Sequence, residues 1–215
     1  MGGHDTKIKI CGATNLADAE LAVDLGAWAV GVIFYPDSPR QCALEVAVEI
    51  GRVLKRRCEV VGVFVNEHLD RVVALAEECQ LTVLQLHGDE GPAYCAQAAR
   101  RTGAKVIKAV QVQNAASLKG LGPYVVDYYL LDGYAKGMRG GTGRTFDWKL
   151  VHERRLNAPV ILSGGLNSSN VAEAINEVQP FAIDVASSVE AEPGHKDPAK
   201  LRALFEAVCS TTVEA

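Results

Sequence analysis

Hydrophobic and polar residues alternate along this chain in blocks of two kinds. Short runs rich in β-branched residues end at turn residues, and each is followed by a longer segment with helical periodicity. The short runs predict eight strands, at residues 7–11, 29–34, 60–65, 82–86, 105–110, 128–131, 159–162 and 181–185. Their mean spacing of about 27 residues is the size of one βα unit.

The segments between these strands predict helices over 15–25, 44–56, 68–79, 90–101, 114–119, 147–154, 168–177 and 197–208. Asn15 is a suitable N-cap for the first helix, and Gly26 can end it in a left-handed conformation. Asp197 followed by Pro198 is a typical start for the last helix.

Several of the predicted strands are apolar on both faces, as in the run from Val60 to Val65. Such runs are typical of parallel sheets that are covered on both sides. Eight βα units without a break in composition favour one closed (β/α)₈ TIM barrel, a single domain over residues 1–215. The alternative is an open Rossmann-like sheet, but its glycine-rich fingerprint is missing after the first strand.

The composition of the chain limits the kinds of partner that we expect for this barrel. The formal net charge is −4 and charges of both signs are interspersed, so we expect no nucleic-acid or membrane partner. The six cysteines form no C-x-x-C pair, which predicts no zinc site and no bound metal. Most of the cysteines look like small hydrophobic residues of strands and helices, which indicates a reducing compartment. The chain also has no apolar run of membrane-spanning length, so we expect a cytoplasmic protein.

The loops that follow the strands carry the chemistry in a barrel of this kind. Nearly all such positions here are polar or glycine. Ser163, Gly164 and Gly165 follow the seventh strand, and Ser187 and Ser188 follow the eighth. Backbone N–H groups in two such loops predict a phosphate site, and hence a small phosphorylated substrate. The alternative is ordinary turn chemistry.

Two strand-end residues are candidates for acid–base catalysis. Cys11 ends the first strand; it is either a small core residue or a base, if its pKa falls from about 8.5 towards neutrality. Asp132 ends the sixth strand, where partial burial can raise its pKa and make it a general acid. Its alternative role is a cap or a salt bridge, to Arg40 or Lys136.

Three further features surround this pair. Arg40 follows a turn with two prolines, and its forked donors suit a carboxylate, although a solvated loop arginine is the alternative. His87 is a candidate polar lining residue. The glycine-rich, cationic stretch 136–144 suggests a lid or a phosphate-side loop.

The strand-end set resembles the phosphoribosylanthranilate isomerase family of tryptophan biosynthesis. Ten pieces in register carry this resemblance: Lys9-Ile10-Cys11-Gly12, Gly31-Val32-Ile33-Phe34, Ser38-Pro39-Arg40, Val61-Gly62-Val63-Phe64-Val65-Asn66, Gln85-Leu86-His87-Gly88, Leu131-Asp132, Gly140-Gly141-Thr142-Gly143, Phe146-Asp147-Trp148, Leu162-Ser163-Gly164-Gly165-Leu166 and Asp184-Val185.

The resemblance implies a cofactor-free Amadori rearrangement, with Asp132 as general acid, Cys11 as general base and Arg40 holding the anthranilate carboxylate. It further implies a monomer or homodimer. The binding residues fall into two sets. Substrate contacts come from Arg40, Gln85, His87 and Asp184, and phosphate contacts from Gly141, Ser163, Gly164, Gly165, Ser187 and Ser188.

One departure from the family pattern concerns the eighth loop, which reads Ala186-Ser187-Ser188-Val189-Glu190 where the family has Ser-Ser-Gly-Val-Glu. If Ser188 must adopt the positive φ of a glycine, we expect strain of about 1 kcal/mol and weaker phosphate binding. The alternatives to the isomerase are a non-catalytic phosphate-binding barrel or another phosphosugar isomerase or epimerase.

Overall fold

Eight parallel strands close into a barrel in the computed structural model, which describes residues 6–133 and 156–211. The barrel closes where β1 pairs with β8. The strands are β1 Lys7–Cys11, β2 Ala29–Ile33, β3 Glu59–Phe64, β4 Val83–Leu86, β5 Lys105–Val112, β6 Tyr128–Gly133, β7 Val160–Leu162 and β8 Ala182–Val185. The predicted (β/α)₈ barrel is therefore confirmed, with strand ends within two residues of the expected ones.

Helices cover the outside of this barrel, at α1 Leu16–Asp24, α2 Leu44–Leu54, α3 Leu69–Glu78, α4 Pro92–Thr102, α5 Val171–Val178 and α6 Pro198–Cys209. The helix predicted over 114–119 is wrong in type, because Ala115–Leu121 forms a 3₁₀ helix. The helix predicted over 147–154 lies outside the described residues. A short antiparallel hairpin was not predicted; β9 Glu190–Glu192 pairs with β10 His195–Lys196.

The predicted helix ends are confirmed by their capping contacts. The Asn15 side chain accepts a hydrogen bond from the Asp18 N–H, and Gly26 has a φ of +104° just beyond α1. Asp197 accepts from two N–H groups of the first turn of α6.

The strands contribute to two separate cores, which explains their apolar character on both faces. Ile8 and Ile10 of β1 pack outwards against the helices, whereas Cys11 lies in the core inside the barrel. The interior is filled by small and branched side chains from the other strands: Ala29, Val61, Val63, Val83, Ile107, Ala109, Leu130, Ile161 and Ala182.

The amino end of the barrel is filled by three aromatic rings. Trp28, Tyr128 and Phe181 stand at or just before the starts of β2, β6 and β8, with ring centroids 5.0–5.5 Å apart. A ligand therefore has the opposite, carboxyl end of the strands available to it, where the polar loops lie.

Two general findings bear on the environment. Within 6–133 and 156–211, no helix is long and apolar enough to cross a membrane. All six cysteines are free thiols, and only Cys209 is exposed.

Candidate active site

Cys11 lies at the carboxyl end of β1, points into the barrel and is 5% exposed. Lys9 lies two residues earlier, and the two-residue period of a strand puts it on the same face. It is fully buried, and its ammonium group lies 2.6 Å from Oδ1 of Asp184 on β8. A buried charge pair thus lies directly below the thiol.

The pKa values of this group reflect burial and charge acting in opposite directions. Burial raises the pKa of the Cys11 thiol, and the neighbouring Lys9 ammonium opposes that rise. The net direction is upwards, opposite to the fall that a base at neutral pH needs. For Lys9, burial alone would lower the pKa, but Asp184 and Cys11 together outweigh it, so the pKa is raised and the lysine stays protonated.

Asp184, which the family resemblance assigns to substrate binding, is held by protein groups. It is 7% exposed, bonds Lys9, and lies 3.4 Å from the Ser163 hydroxyl through Oδ2. A substrate contact for Asp184 therefore stays a prediction, while its pairing with Lys9 is visible. Sequence reasoning missed Lys9, although its position two residues before Cys11 was a signal that both face the interior.

Arg40 crosses the mouth beside Cys11 and bonds a carboxylate of its own chain. Its Nε lies 2.9 Å from both oxygens of Glu190, and its Nη2 lies 2.8 Å from Oε2. Gly12 makes room for it, since a Cβ there would lie 2.8 Å from Cδ of Arg40. The salt bridge considered between Asp132 and Arg40 is thus wrong, because Arg40 pairs with Glu190 instead.

Asp132 lies across the mouth on β6 and is 3% exposed. Its Oδ2 is 3.6 Å from Nε2 of His87, whose Nδ1 lies 2.9 Å from the amide nitrogen of Gln85. An amide nitrogen can only donate, so in this arrangement Nδ1 accepts and the ring proton sits on Nε2, facing Asp132. Gln85 and His87, expected to line the substrate, therefore form a chain that leads to the candidate acid.

This chain contains the unsatisfied polar atoms of the site. Among the described residues, Oε1 of Gln85 and Nε2 of His87 are buried and have no hydrogen-bond partner. Buried polar atoms without partners cost stability, and they are common where a ligand completes the network.

The loop after β7 connects the two sides of the mouth. Gly164 and Gly165 have φ values of +95° and +68°, which favour glycine. A Cβ on Gly164 would lie 2.4 Å from the Gly133 nitrogen and 3.0 Å from Oδ1 of Asp132. This loop thus packs its bare backbone against the acid, while Ser163 contacts Asp184 on the other side.

The loop after β8 is a short 3₁₀ turn, Ser187–Val189. Ser188 is absent from the described residues with positive φ, and its hydroxyl donates to the Leu166 carbonyl at 2.5 Å. The condition for strain at this serine is therefore not met, because its backbone does not adopt the conformation that requires glycine. Gly141, the remaining predicted phosphate contact, lies outside the described residues.

A cavity of about 410 Å³ opens next to His87, between the ends of β4 and β5 and the 3₁₀ helix Ala115–Leu121. Lys108 lines it, but its ammonium already bonds two carbonyls and the Glu90 carboxylate. This lysine therefore stabilises the loop after β4.

Among the residues that the structure covers, no group of three His, Cys, Asp or Glu side chains could hold a metal ion.

A closed parallel barrel with polar side chains at the carboxyl ends of its strands has the architecture of the (β/α)₈ enzymes. Comparison with known proteins identifies the family. Residues 8–207 match the model of the N-(5′-phosphoribosyl)anthranilate (PRA) isomerase family. The chain belongs to this family.

Individual relatives agree along nearly the whole chain. An N-(5′-phosphoribosyl)anthranilate isomerase of Citrifermentans bemidjiense is 47% identical over 200 residues, covering 93% of this chain and 95% of the relative. The crystal structure of phosphoribosyl anthranilate isomerase from Thermotoga maritima superimposes with a TM-score of 0.86 at 40% identity, covering 95% of this chain and 98% of the other.

A third comparison includes a ligand. A phosphoribosyl anthranilate isomerase in complex with reduced 1-(o-carboxyphenylamino)-1-deoxyribulose 5-phosphate has a TM-score of 0.83 and 39% identity, covering 95% of this chain and 98% of the other. The family resemblance expected from the strand-end residues is thus confirmed.

Proposed function

We propose that this chain isomerises N-(5′-phosphoribosyl)anthranilate to 1-(o-carboxyphenylamino)-1-deoxyribulose 5-phosphate, as a step of tryptophan biosynthesis. The observation that carries the proposal is the placement of Cys11 and Asp132. Both are buried at one barrel mouth, on β1 and β6, with the glycine loop after β7 between them. The relatives named for this activity support it.

The acid step belongs to the side of the mouth formed by Asp132, His87 and Gln85. Protonated Asp132 donates its proton to the furanose ring oxygen, the bond from C1 to that oxygen breaks, and the nitrogen lone pair forms the C1=N bond of a protonated Schiff base. The N–H on Nε2 of His87 faces the carboxylate that this step produces. Gln85 keeps that ring in its tautomer and orientation.

The base step belongs to Cys11. Its thiolate removes the proton from C2, and the C–H electron pair forms C1=C2 while the C=N pair returns to nitrogen. The resulting enolamine gains a proton at C1 and loses the proton of its 2-hydroxyl group, which leaves the ketose with no net change in atoms. Because the Schiff base makes the C2–H acidic, a small thiolate fraction suffices, and the nearby ammonium of Lys9 increases that fraction.

Binding is divided among the surrounding groups. Arg40 holds the anthranilate carboxylate, with Gln85, His87 and Asp184 close to the substrate. The phosphate is held by the loops after β7 and β8, through Ser163, Gly164, Gly165, Ser187 and Ser188. Gly141, which lies in the part of the chain that the structure does not describe, is a further proposed phosphate contact. No cofactor is required, since the acid of ring opening and the base at C2 are both side chains of this chain.

The cellular setting follows from the same function. A biosynthetic enzyme with a thiol base works best in a reducing compartment, and all six cysteines are free. We therefore place the protein in the cytoplasm.

The test is turnover of freshly prepared N-(5′-phosphoribosyl)anthranilate, followed by the loss of its anthranilate-type fluorescence. Purified protein should consume the substrate, and Cys11→Ala should abolish most of the turnover. Cys95→Ala is the matched control, because Cys95 is an equally buried thiol in α4 whose pKa is raised to about 11 by burial. Folded wild-type protein without turnover would instead identify a non-catalytic phosphate-binding barrel.

A further inference from the structure

The hairpin after β8 places one carboxylate between two cations. Glu190 is 6% exposed, and both of its oxygens accept from Nε of Arg40. Its Oε1 also accepts from Nζ of Lys196 at 2.9 Å and from the Gly194 N–H at 3.3 Å. Neither Glu190 nor Lys196 has a part in the acid–base chemistry described above.

Lys196 uses its ammonium group to join three parts of the mouth. It donates to the Cys11 carbonyl at 2.7 Å, to the Ala186 carbonyl at 3.3 Å and to Glu190. These contacts use all three N–H donors of a lysine. The end of β1, the loop after β8 and the Glu190 carboxylate are therefore held at fixed positions relative to one another.

The hairpin itself is anchored to the start of the chain and to α6. The Thr14 hydroxyl donates to the Gly194 carbonyl at 2.6 Å, and the Lys196 N–H donates to Asp18 at 2.8 Å. Lys200 of α6 donates to the Glu190 carbonyl at 2.7 Å. Because these contacts fix the hairpin, the Glu190 side chain is well suited to orient Arg40.

The way Glu190 binds Arg40 leaves one edge of the guanidinium for a second anion. Glu190 occupies the edge formed by Nε and Nη2, and the described residues place no hydrogen-bond partner on Nη1. A guanidinium has five N–H donors, so the Nη1–Nη2 edge retains a forked pair. The three groups together carry one net positive charge, enough to balance one carboxylate.

We propose that Glu190, held by Lys196, is a positioning residue that aims the free edge of Arg40 at the substrate carboxylate and so determines selectivity for carboxylate-bearing ligands. This inference rests on the proposed function, which supplies the anthranilate carboxylate.

The charge state of the cluster agrees with this role. Burial alone would raise the pKa of Glu190, but the hydrogen bond from Arg40 and the charge of Lys196 outweigh it and lower the pKa. Glu190 therefore stays ionised at neutral pH and keeps its hold on Arg40.

The experiment compares two ligands on the full-length chain. The first is reduced 1-(o-carboxyphenylamino)-1-deoxyribulose 5-phosphate, and the second is the same molecule without the ring carboxylate. In Glu190→Gln we expect the dissociation constant of the first to rise between about 10-fold and 100-fold, the effect of losing one charge-assisted hydrogen bond. The second ligand should bind as before, and kcat should fall less than KM rises.

The conservative variant Glu190→Asp separates position from charge. It keeps the negative charge but shortens the side chain by one methylene, so the fork to Arg40 is lost. If position matters, this variant also loses selectivity; if Glu190 contributes only its charge, it binds both ligands like the wild type and the proposal fails. Tighter binding of the carboxylate ligand to Glu190→Gln would likewise overturn it, because that result means simple repulsion between two anions.

Two further variants serve as controls for the role of Glu190. Glu59→Gln removes a carboxylate that bonds Lys105 at 2.6 Å near the amino end of the barrel, and it should leave the ratio of the two dissociation constants unchanged. If Glu190→Gln folds poorly because Lys196 loses its partner, the double variant Glu190→Gln/Lys196→Met replaces it, with the same expected loss of selectivity. A wild type that binds neither ligand would contradict the proposed function itself rather than the role of Glu190.

Discussion

The two sides of the barrel mouth are built on opposite principles. On the side of β1 and β8, charged groups are buried in pairs, with Lys9 on Asp184 and Lys196 on Glu190. On the side of β4 and β6, a buried pair of Lys108 and Glu90 lies in the loop after β4, but the groups nearest to Asp132 are an amide and an imidazole. Gln85 and His87 each keep one buried atom without a partner among the described residues.

With Cys11 as the proposed base and Asp132 as the proposed acid, this difference shows how one barrel can supply both. Fixed buried charges surround Cys11 before any ligand arrives, and the ammonium groups of Lys9 and Lys196 oppose the rise that burial and Asp184 cause in the pKa of the thiol. The acid side has spare hydrogen-bonding capacity, which a substrate oxygen can satisfy as the ring opens. Preorganisation is thus concentrated where a charge must be maintained.

The largest expected effect is on the acid side. Asp132→Asn keeps the size of the side chain but removes the proton donor, so kcat/KM should fall by roughly 10²–10⁴-fold. The dissociation constant of the reduced product analogue should change little, because that ligand needs no proton. Asp70→Asn, which breaks an exposed pair with Arg101, is the control and should leave kcat/KM unchanged.

The next effect separates the two sides by pH. Lys9→Met removes the charge that opposes burial at Cys11, so the pKa of the thiol should rise further. Because the thiolate is the proposed base, the acidic limb of the kcat/KM profile should move to higher pH, with a loss of about tenfold at neutrality. An unmoved limb would contradict the role of Lys9.

Folding needs separate attention in this variant, since Asp184 would be left buried and unpaired. The double variant Lys9→Met/Asp184→Asn removes both charges together and should shift the acidic limb in the same direction but by less, because Asp184 raises the pKa of the thiol and its loss offsets part of the effect. Thermal unfolding of both proteins shows whether the single variant is intact.

A smaller effect is expected from Gln85→Leu. The substitution removes the donor to Nδ1 of His87, so the ring loses its fixed tautomer, and kcat should fall about tenfold while the acidic limb stays in place. A shift of that limb would mean that Gln85 also affects the pKa of the Cys11 thiol, so that the two sides are not electrostatically independent.

The sequence predicted the groups that stand at strand ends and missed those that hold them. Cys11, Asp132 and the glycine loop could be found because their position in the βα repeat defines where they lie. The partners of these groups are distant in the chain: Lys9 and Asp184 are separated by 175 positions, and Arg40 and Glu190 by 150. Only the closure of the barrel brings them together.

Local physics also explains the remaining differences. The segment from Ala115 to Leu121 is short and contains Gly120, with Gly122 just beyond it, so it forms 3₁₀ turns rather than the α-helix expected over 114–119. Ser188 was expected to be strained by analogy with glycine, but the local turn has a different backbone and uses the hydroxyl to hold Leu166.

The central claim is that the two sides carry out separate proton transfers, and the deuterium isotope effect at C2 of the substrate tests it most directly. If Cys11 removes that proton, slowing the base side with Lys9→Met should increase the isotope effect on kcat/KM. Slowing ring opening with Gln85→Leu should reduce it towards unity. Equal changes in both variants, or no isotope effect in either, would contradict the division between the two sides.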